Sequence, residues 1–131
     1  MTRTIPMDEW GKDHWSTLAY IETRIVDHKG FIDNRHMRGR VAEYPTRLAN
    51  GAIEPLHSDY DCAEDMIAEG LLEGGRLSWD EVMSYPQRDR VRHTHIYSLT
   101  TKGWKVAEAL RAHKGDGGNY AGFTYEGEAV G

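Results

Sequence analysis

The sequence predicts an α+β domain with three or four helices and a small antiparallel β-hairpin. Apolar residues recur at three- and four-residue spacing in residues 13–29, 58–69 and 100–114, as they do in helices that bury one face. From residue 88 to 99, apolar and polar residues alternate, as they do in a half-buried strand. A chain of 131 residues with 39% hydrophobic content is the size of one domain. We therefore expect a single domain over residues 1–115.

The first helix is expected over residues 13–29. Its inward residues share the spacing of one helix face: Trp15, Leu18, Ala19, Ile25 and Val26. Gly30 follows and can take the left-handed conformation that closes a helix. Asp33 is a candidate N-cap for a brief helix over 33–38.

Residues 39–57 are expected to form a loop inserted between helices, with a loose hairpin at the Asn50-Gly51 turn signal. Ser58 then begins the third helix as its N-cap, and Gly70 ends it. The inward face of this helix is expected to contain four residues: Tyr60, Ala63, Met66 and Ile67.

The next segment is expected to be a long wing over residues 74–95, between a short apolar strand at 71–73 and the alternating strand that ends at Leu99. Within it, Ser78 and Glu81 have the spacing of a capping box and predict one turn of helix.

The last helix is expected to begin after Thr100, with Gly115 at its end. Its inward residues by spacing are Trp104, Ala107 and Leu110. The glycine-rich segment 116–131 is predicted to be a flexible tail, except where its aromatic residues dock on the domain: Tyr120, Phe123 and Tyr125. Trp10 and Trp15 are expected to fill the core, with a dimer contact as the alternative.

Two motifs carry a resemblance to a known superfamily. The third helix ends in Gly70-Leu71-Leu72, and a later strand reads Tyr97-x-Leu99-Thr100-x-x-Gly103 into a helix. This pattern resembles the winged-helix (winged helix-turn-helix) superfamily, in particular bacterial regulators, over residues 58–114 and more loosely over 13–38. The opening run around Trp15 also looks like small uncharacterised bacterial and phage proteins. The resemblance implies a DNA-binding fold whose third helix enters the major groove.

The charge of the third helix departs from that implication. Its carboxylates, with no compensating lysine, would be repelled by phosphates, and the formal net charge of the chain is −5. We interpret the helix either as an ordinary solvated face or as an acidic surface for a protein partner, with DNA contact as a third alternative. The residues assigned to that partner-binding surface are Asp61, Glu64, Asp65 and Glu69.

The wing has the opposite charge. Arg88, Arg90 and Arg92 are expected to project from one strand face, where guanidinium groups contact phosphates or an acidic protein surface. Nucleic acid binding is therefore left open through the wing, as contacts to the backbone and not to bases.

A metal site, a cofactor or catalysis is not expected. A zinc site built from His93 and His95, with help from His57, Asp59 or Asp61, would need a proximity that the sequence does not fix. With a single cysteine, Cys62, neither a disulfide nor a Cys-x-x-Cys pair is available. No Gly-rich phosphate loop, triad order or inward carboxylate pair is apparent.

The function predicted from the sequence is that of a small non-enzymatic winged-helix binding protein, a regulator or adaptor of a nucleic-acid-handling process. One alternative is a phage-type anti-defence inhibitor that uses the acidic helix as a nucleic-acid mimic, and another is a DNA-binding transcriptional regulator. The single cysteine and the absence of an apolar leader or a span of about 18 apolar residues lead us to expect a cytoplasmic protein without a membrane segment. A homodimer through terminal helices is left open.

Overall fold

The computed structural model contains helices and antiparallel strands, and it describes residues 4–27, 30, 32–33, 46–54, 57, 59–76, 78–84 and 95–125. The helices are α1 (Lys12–Asp27), α2 (Asp59–Ala68), α3 (Trp79–Met83) and α4 (Thr101–Gly115). The strands are β1 (Ile32–Asp33), β2 (Thr46–Arg47), β3 (Ile53–Glu54), β4 (Leu72–Arg76) and β5 (His95–Leu99). Two short 3-10 helices span Met7–Glu9 and Tyr120–Gly122. The α+β class is therefore as predicted.

The strands form two antiparallel sheets. In the three-stranded sheet β5 lies between β1 and β4, with Leu72 opposite Leu99 and Ile32 opposite Tyr97. The second sheet is the hairpin of β2 and β3, which turns at Asn50-Gly51 with Gly51 at φ 85°. The turn signal in the predicted insertion thus marks a hairpin, because glycine accepts the positive φ that the turn requires.

Helix α1 buries Trp15, Leu18, Ile21 and Ile25 in the core, which also contains Trp10. The expectation that the two tryptophans fill the core is confirmed. Val26 is 59% exposed, so its predicted inward position is wrong. Neighbouring helix positions differ by about 100° around the axis, and Ile21 and Ile25 already occupy the buried stripe. Gly30 donates its N–H to the carbonyl of Ile25 at 3.0 Å, which closes the helix as predicted.

Helix α2 ends where the sequence predicts. Gly70 has φ 79°, and the N–H of Leu71 donates to the carbonyl of Met66 at 2.8 Å. Ala63 and Met66 are buried, while Tyr60 and Ile67 are half-buried against the core. Ser58, the predicted N-cap, lies outside the described residues.

The wing segment contains the predicted capping box. The N–H of Ser78 donates to Glu81 Oε1 at 2.9 Å, and the N–H of Glu81 donates to Ser78 Oγ at 3.2 Å. Asp33 is the last residue of β1, and the brief helix that it was predicted to cap, at 33–38, otherwise lies outside the described residues.

Helix α4 begins at the predicted cap, since the N–H of Gly103 donates to Thr100 Oγ1 at 2.9 Å. Its buried stripe contains Val106, Ala107 and Leu110. Trp104 is 38% exposed, so its predicted inward position is wrong. The buried stripe passes through Gly103, one residue earlier.

The described part of the predicted tail is docked on the domain. Phe123 is buried, with its ring centroid 4.7 Å from that of Trp15 at an interplanar angle of 85°. Asn119 Oδ1 accepts from the N–H of Gly122 at 2.8 Å, so Asn119 caps the start of the 3-10 helix Tyr120–Gly122. Residues 116–125 therefore belong to the folded unit, and the remainder of the tail lies outside the described residues.

Among the described residues, the helices are too short and too polar for any of them to cross a membrane.

Candidate functional site

A carboxylate at the centre of the core connects three separate parts of the chain. Asp65, on α2, is only 2% exposed. Its Oδ2 lies 2.7 Å from Nε2 of His14 on α1 and 2.7 Å from Nε2 of His57, and its Oδ1 accepts from the N–H of Ile5 at 2.9 Å. Both imidazoles are buried. One side chain thereby positions the amino-terminal segment, α1 and the residue that precedes α2.

The ionisation of Asp65 decides how these bonds are made. Burial raises the pKa of the carboxyl, but the hydrogen bonds from His14, His57 and Ile5 outweigh it and hold the pKa below its usual range. An ionised carboxylate only accepts hydrogen bonds, so both imidazoles donate through Nε2–H. When the rings are neutral, the lone pair of each is therefore on Nδ1.

Aromatic packing surrounds this cluster. The Trp10 ring stacks on His14 with centroids 5.0 Å apart and an interplanar angle of 8°, and Trp10 Nε1 donates to the carbonyl of Ile5 at 2.8 Å. The N–H of Met7 donates to Glu69 Oε2 at 2.8 Å, so α2 holds the amino-terminal segment at a second point. These contacts restrict the rotation of the His14 ring.

Cys62 lies beside the two histidines. His14, His57 and Cys62 each offer one ligand atom such that the three atoms lie within 4.8 Å of one another, and all three residues are buried. Thr46 Oγ1 is 4.0 Å from Cys62 Sγ and donates to the carbonyl of His57 at 2.6 Å. Two imidazoles and a thiol at this separation are a donor set that transition metals prefer.

Sequence reasoning missed this cluster, although one signal was present. His14 and Thr17 lie on the same face of α1 as Leu18 and Ile21, and Asp59, Cys62 and Asp65 lie on one face of α2 at three-residue spacing. Asp59 is buried and accepts from Thr17 Oγ1 at 3.1 Å. Polar residues at inward positions of two facing helices indicate buried polar contacts between them.

The acidic surface assigned to α2 is smaller than predicted. Asp65 is buried in the core, so its assignment to an exposed partner-binding face is wrong. Glu69 is half-buried and accepts from Met7, Asp61 is half-buried, and Glu64 is exposed. Burial raises the pKa of the Tyr97 hydroxyl and the negative charge of Glu64 raises it further, so the field of these acids reaches the central strand.

A second group of exposed residues lies on and beside α3. Trp79, at the start of α3, is 73% exposed, and its neighbours Asp80 and Glu81 are also exposed. Hydrogen bonds from Ser78 hold the pKa of Glu81 below its usual range. Glu73 on β4 is exposed as well. The exposure of Trp79 has no signal in the sequence, because a lone aromatic residue in a loop has no periodicity.

The other predicted site residues are placed differently or lie outside the description. His95 packs against the rings of Tyr60 and Tyr97, with centroids 4.9 Å and 6.2 Å away. Of the described histidines that were considered and rejected as zinc ligands, His57 lies with His14 and not with His95. The three predicted wing residues lie outside the described residues: Arg88, Arg90 and Arg92. His93 lies outside them as well.

A groove between the terminal helices contains the two apolar side chains that were expected inside. Val26 and Trp104 line it together with Glu22 and Arg111, whose ion pair measures 2.8 Å from Nε to Oε2. A homodimer through these helices stays a prediction.

Comparison of the chain with protein-family models, with curated proteins and with solved structures finds no match.

Proposed function

We propose that this chain is a non-enzymatic binding module of winged-helix type that recognises a basic protein surface. Its contact surface, which we call the acidic face, combines exposed or half-exposed carboxylates with one aromatic residue: Asp61, Glu64, Glu73, Trp79, Asp80 and Glu81. The exposure of Trp79 carries the proposal. A tryptophan that leaves most of its surface in water on a short helix is the residue type that most often anchors a protein interface.

The charge of this surface selects the class of partner. Phosphates approaching within about 10 Å of these carboxylates are repelled, whereas lysine and arginine side chains are attracted. Glu81 is exposed and, like any such carboxyl group, ionised at neutral pH, and the hydrogen bonds with Ser78 lower its pKa further. A protein rich in Lys and Arg fits the acidic face better than a nucleic acid does.

The winged-helix assignment is supported by the order of elements and by their packing. Helix α2 leads into β4, α3 interrupts the hairpin, β5 returns beside β4, and α4 follows at once. The N–H of Thr100 donates to the carbonyl of Leu71 at 3.0 Å, which fixes the start of α4 against the end of α2. These are the two motifs on which the resemblance rests.

We propose a non-enzymatic function because a cluster of acid–base groups in the described residues is buried. Among the described residues, His14, His57, Cys62 and Asp65 form a cluster of such groups, and all four are buried. A substrate would need access to them, whereas a binding surface needs only exposed residues. Whether Arg88, Arg90 and Arg92 contact phosphate or protein stays a prediction.

Affinity capture from lysate of the native cell, with quantitative mass spectrometry, tests the proposal. Trp79→Ala and Glu64→Lys are each expected to lower recovery of the captured basic protein by about 30-fold, the effect of losing a hot-spot residue worth about 2 kcal/mol. Glu108→Lys is the matched control, because it reverses an exposed acid on α4 and should leave recovery unchanged.

Retention of the partner by both acidic-face variants would contradict the proposal. The identity of the captured protein separates the alternatives. A nucleic-acid-handling enzyme held at its own nucleic-acid groove would identify the inhibitor version, and duplex DNA bound with a steep dependence on salt would favour the transcriptional regulator.

A further inference from the structure

We propose that His14, His57 and Cys62 form a buried binding site for a single transition-metal ion, with zinc as the fitting member of that class. The three ligand atoms lie within 4.8 Å of one another. Zinc bonds of about 2.0–2.1 Å to imidazole nitrogen and about 2.3 Å to thiolate sulfur place ligand atoms roughly 3.5 Å apart. The 4.8 Å separation covers either ring nitrogen of each histidine, so the side chains need to move closer together for Nδ1 of both rings to reach one ion. This proposal departs from the sequence-based prediction of no metal.

The hydrogen bonds of Asp65 orient both imidazoles for this role. Each Nε2 is directed to the same carboxylate oxygen at 2.7 Å, which leaves Nδ1 as the nitrogen of each ring that Asp65 does not occupy. In protein metal sites, a ligating imidazole commonly donates its other N–H to a carboxylate, which fixes the tautomer and raises the basicity of the ligand. For His57, Nδ1 is buried and has no hydrogen-bond partner among the described residues. Such a nitrogen is costly unless something binds it.

The charges sum to zero when the ion is bound. A divalent ion contributes two positive charges, and the Cys62 thiolate and the Asp65 carboxylate contribute two negative ones. Binding releases the thiol proton of Cys62 to solvent. Burying a site costs the least free energy when its net charge is zero. Without the ion, only hydrogen bonds compensate the charge of the Asp65 carboxylate.

The donor types select the class of metal. Two nitrogens and one sulfur suit zinc and its neighbours, and they do not suit calcium or magnesium, which take oxygen ligands. Zinc needs a fourth donor for a tetrahedral site. Thr46 Oγ1 lies 4.0 Å from Cys62 Sγ, and it would supply the fourth donor itself or through a water molecule.

Burial of all three ligands makes this a structural site that takes up its ion as the chain folds. The ion would connect α1, the segment that contains His57 and α2, which are the parts that Asp65 already holds together. Metal binding then contributes directly to the free energy of folding. This role is independent of the acidic face, so its test and that of the proposed function can fail separately.

Metal content and cobalt spectroscopy of untagged wild-type protein provide the first test. Protein purified without chelator is expected to contain about one zinc per chain, the stoichiometry of a single site. After zinc is removed and cobalt(II) is added, a thiolate-to-cobalt charge-transfer band should appear, and one equivalent of zinc should abolish it. Folded protein that takes up no stoichiometric metal and shows no such band would overturn the proposal.

Substitutions then assign the ligands. Cys62→Ser should remove the charge-transfer band, and His57→Gln should lower zinc affinity by at least about tenfold. Asp65→Asn should lower it by about 10–100-fold, since it releases both rings from their orientation. His95→Gln, which changes a histidine outside the cluster, is the matched control and should bind as wild type does.

Zinc should also raise the melting temperature of the wild type but not that of Cys62→Ser. Because each protein is compared with and without zinc, this test stays valid if Cys62→Ser is less stable than the wild type. Unchanged zinc affinity in Cys62→Ser and His57→Gln would overturn the assignment.

Discussion

Glu64 and Asp65 are adjacent acids on α2, yet they occupy opposite environments. Glu64 is exposed and belongs to the acidic face, while Asp65 is buried and accepts hydrogen bonds from two histidines and a backbone amide. A step of one residue turns the side chain by about 100° around the helix, which is enough to exchange solvent for core. The same chemical group therefore acts as a surface charge at one position and as an internal anchor at the next.

The inner side of α2 combines polar and apolar residues. Asp59, Cys62 and Asp65 alternate there with Ala63 and Met66, and all five are buried. Asp59 and Asp65 are tolerated because both have hydrogen-bond donors on α1. The outer side bears exposed charges such as that of Glu64. Substitutions on the inner side should therefore lower the free energy of unfolding much more than substitutions on the outer side.

The largest effect is expected for Asp65→Asn, measured by urea unfolding in excess chelator so that metal does not contribute. The change removes the charge that three donors share and directs an amide N–H₂ at one of them. We expect the free energy of unfolding to fall by about 3–5 kcal/mol, as when one partner of a buried ionic network is lost.

Glu64→Gln is the isosteric control for that experiment and the smallest effect in the series. Its side chain is exposed, so the free energy of unfolding should change by no more than about 0.5 kcal/mol. Similar losses in the two variants would contradict the distinction between the two sides of α2.

An intermediate effect is expected for Gly103→Ala, which tests the packing behind α2. A Cβ at Gly103 would collide with the backbone carbonyl of Leu71, the residue that follows the helix end. Relief requires movement of backbone, and we expect a loss of about 1–3 kcal/mol in the free energy of unfolding. Gly115→Ala on the same helix meets open space and has no positive φ, so it should be neutral or slightly stabilising. Equal effects of the two substitutions would contradict this close approach.

Features set by local chemistry could be predicted from the sequence. The caps at Thr100 and Ser78, the helix ends at Gly30 and Gly70, and the turn at Asn50-Gly51 each depend on a few adjacent residues. Their signals do not require knowledge of distant parts of the chain.

Features set by distant parts of the chain could not be predicted. Val26 and Trp104 were assigned to the core because spacing defines the width of a stripe only to within one residue. His14 and Asp65 are 51 positions apart, so their hydrogen bond has no local signal. Asp65 looked like a surface acid because hydrophobic periodicity treats every carboxylate as outward, whatever donors face it.

The central claim is that the Asp65 carboxylate accepts from Nε2–H of both His14 and His57 inside the core. Nitrogen NMR of the histidine side chains in metal-free protein at neutral pH tests it directly, since the chemical shifts identify which ring nitrogen bears the proton. We predict that both rings carry the proton on Nε2, with Nε2–H signals that are protected from exchange and that disappear in Asp65→Asn. A proton on Nδ1 alone in either ring, or rapid exchange of both Nε2–H protons, would contradict the account.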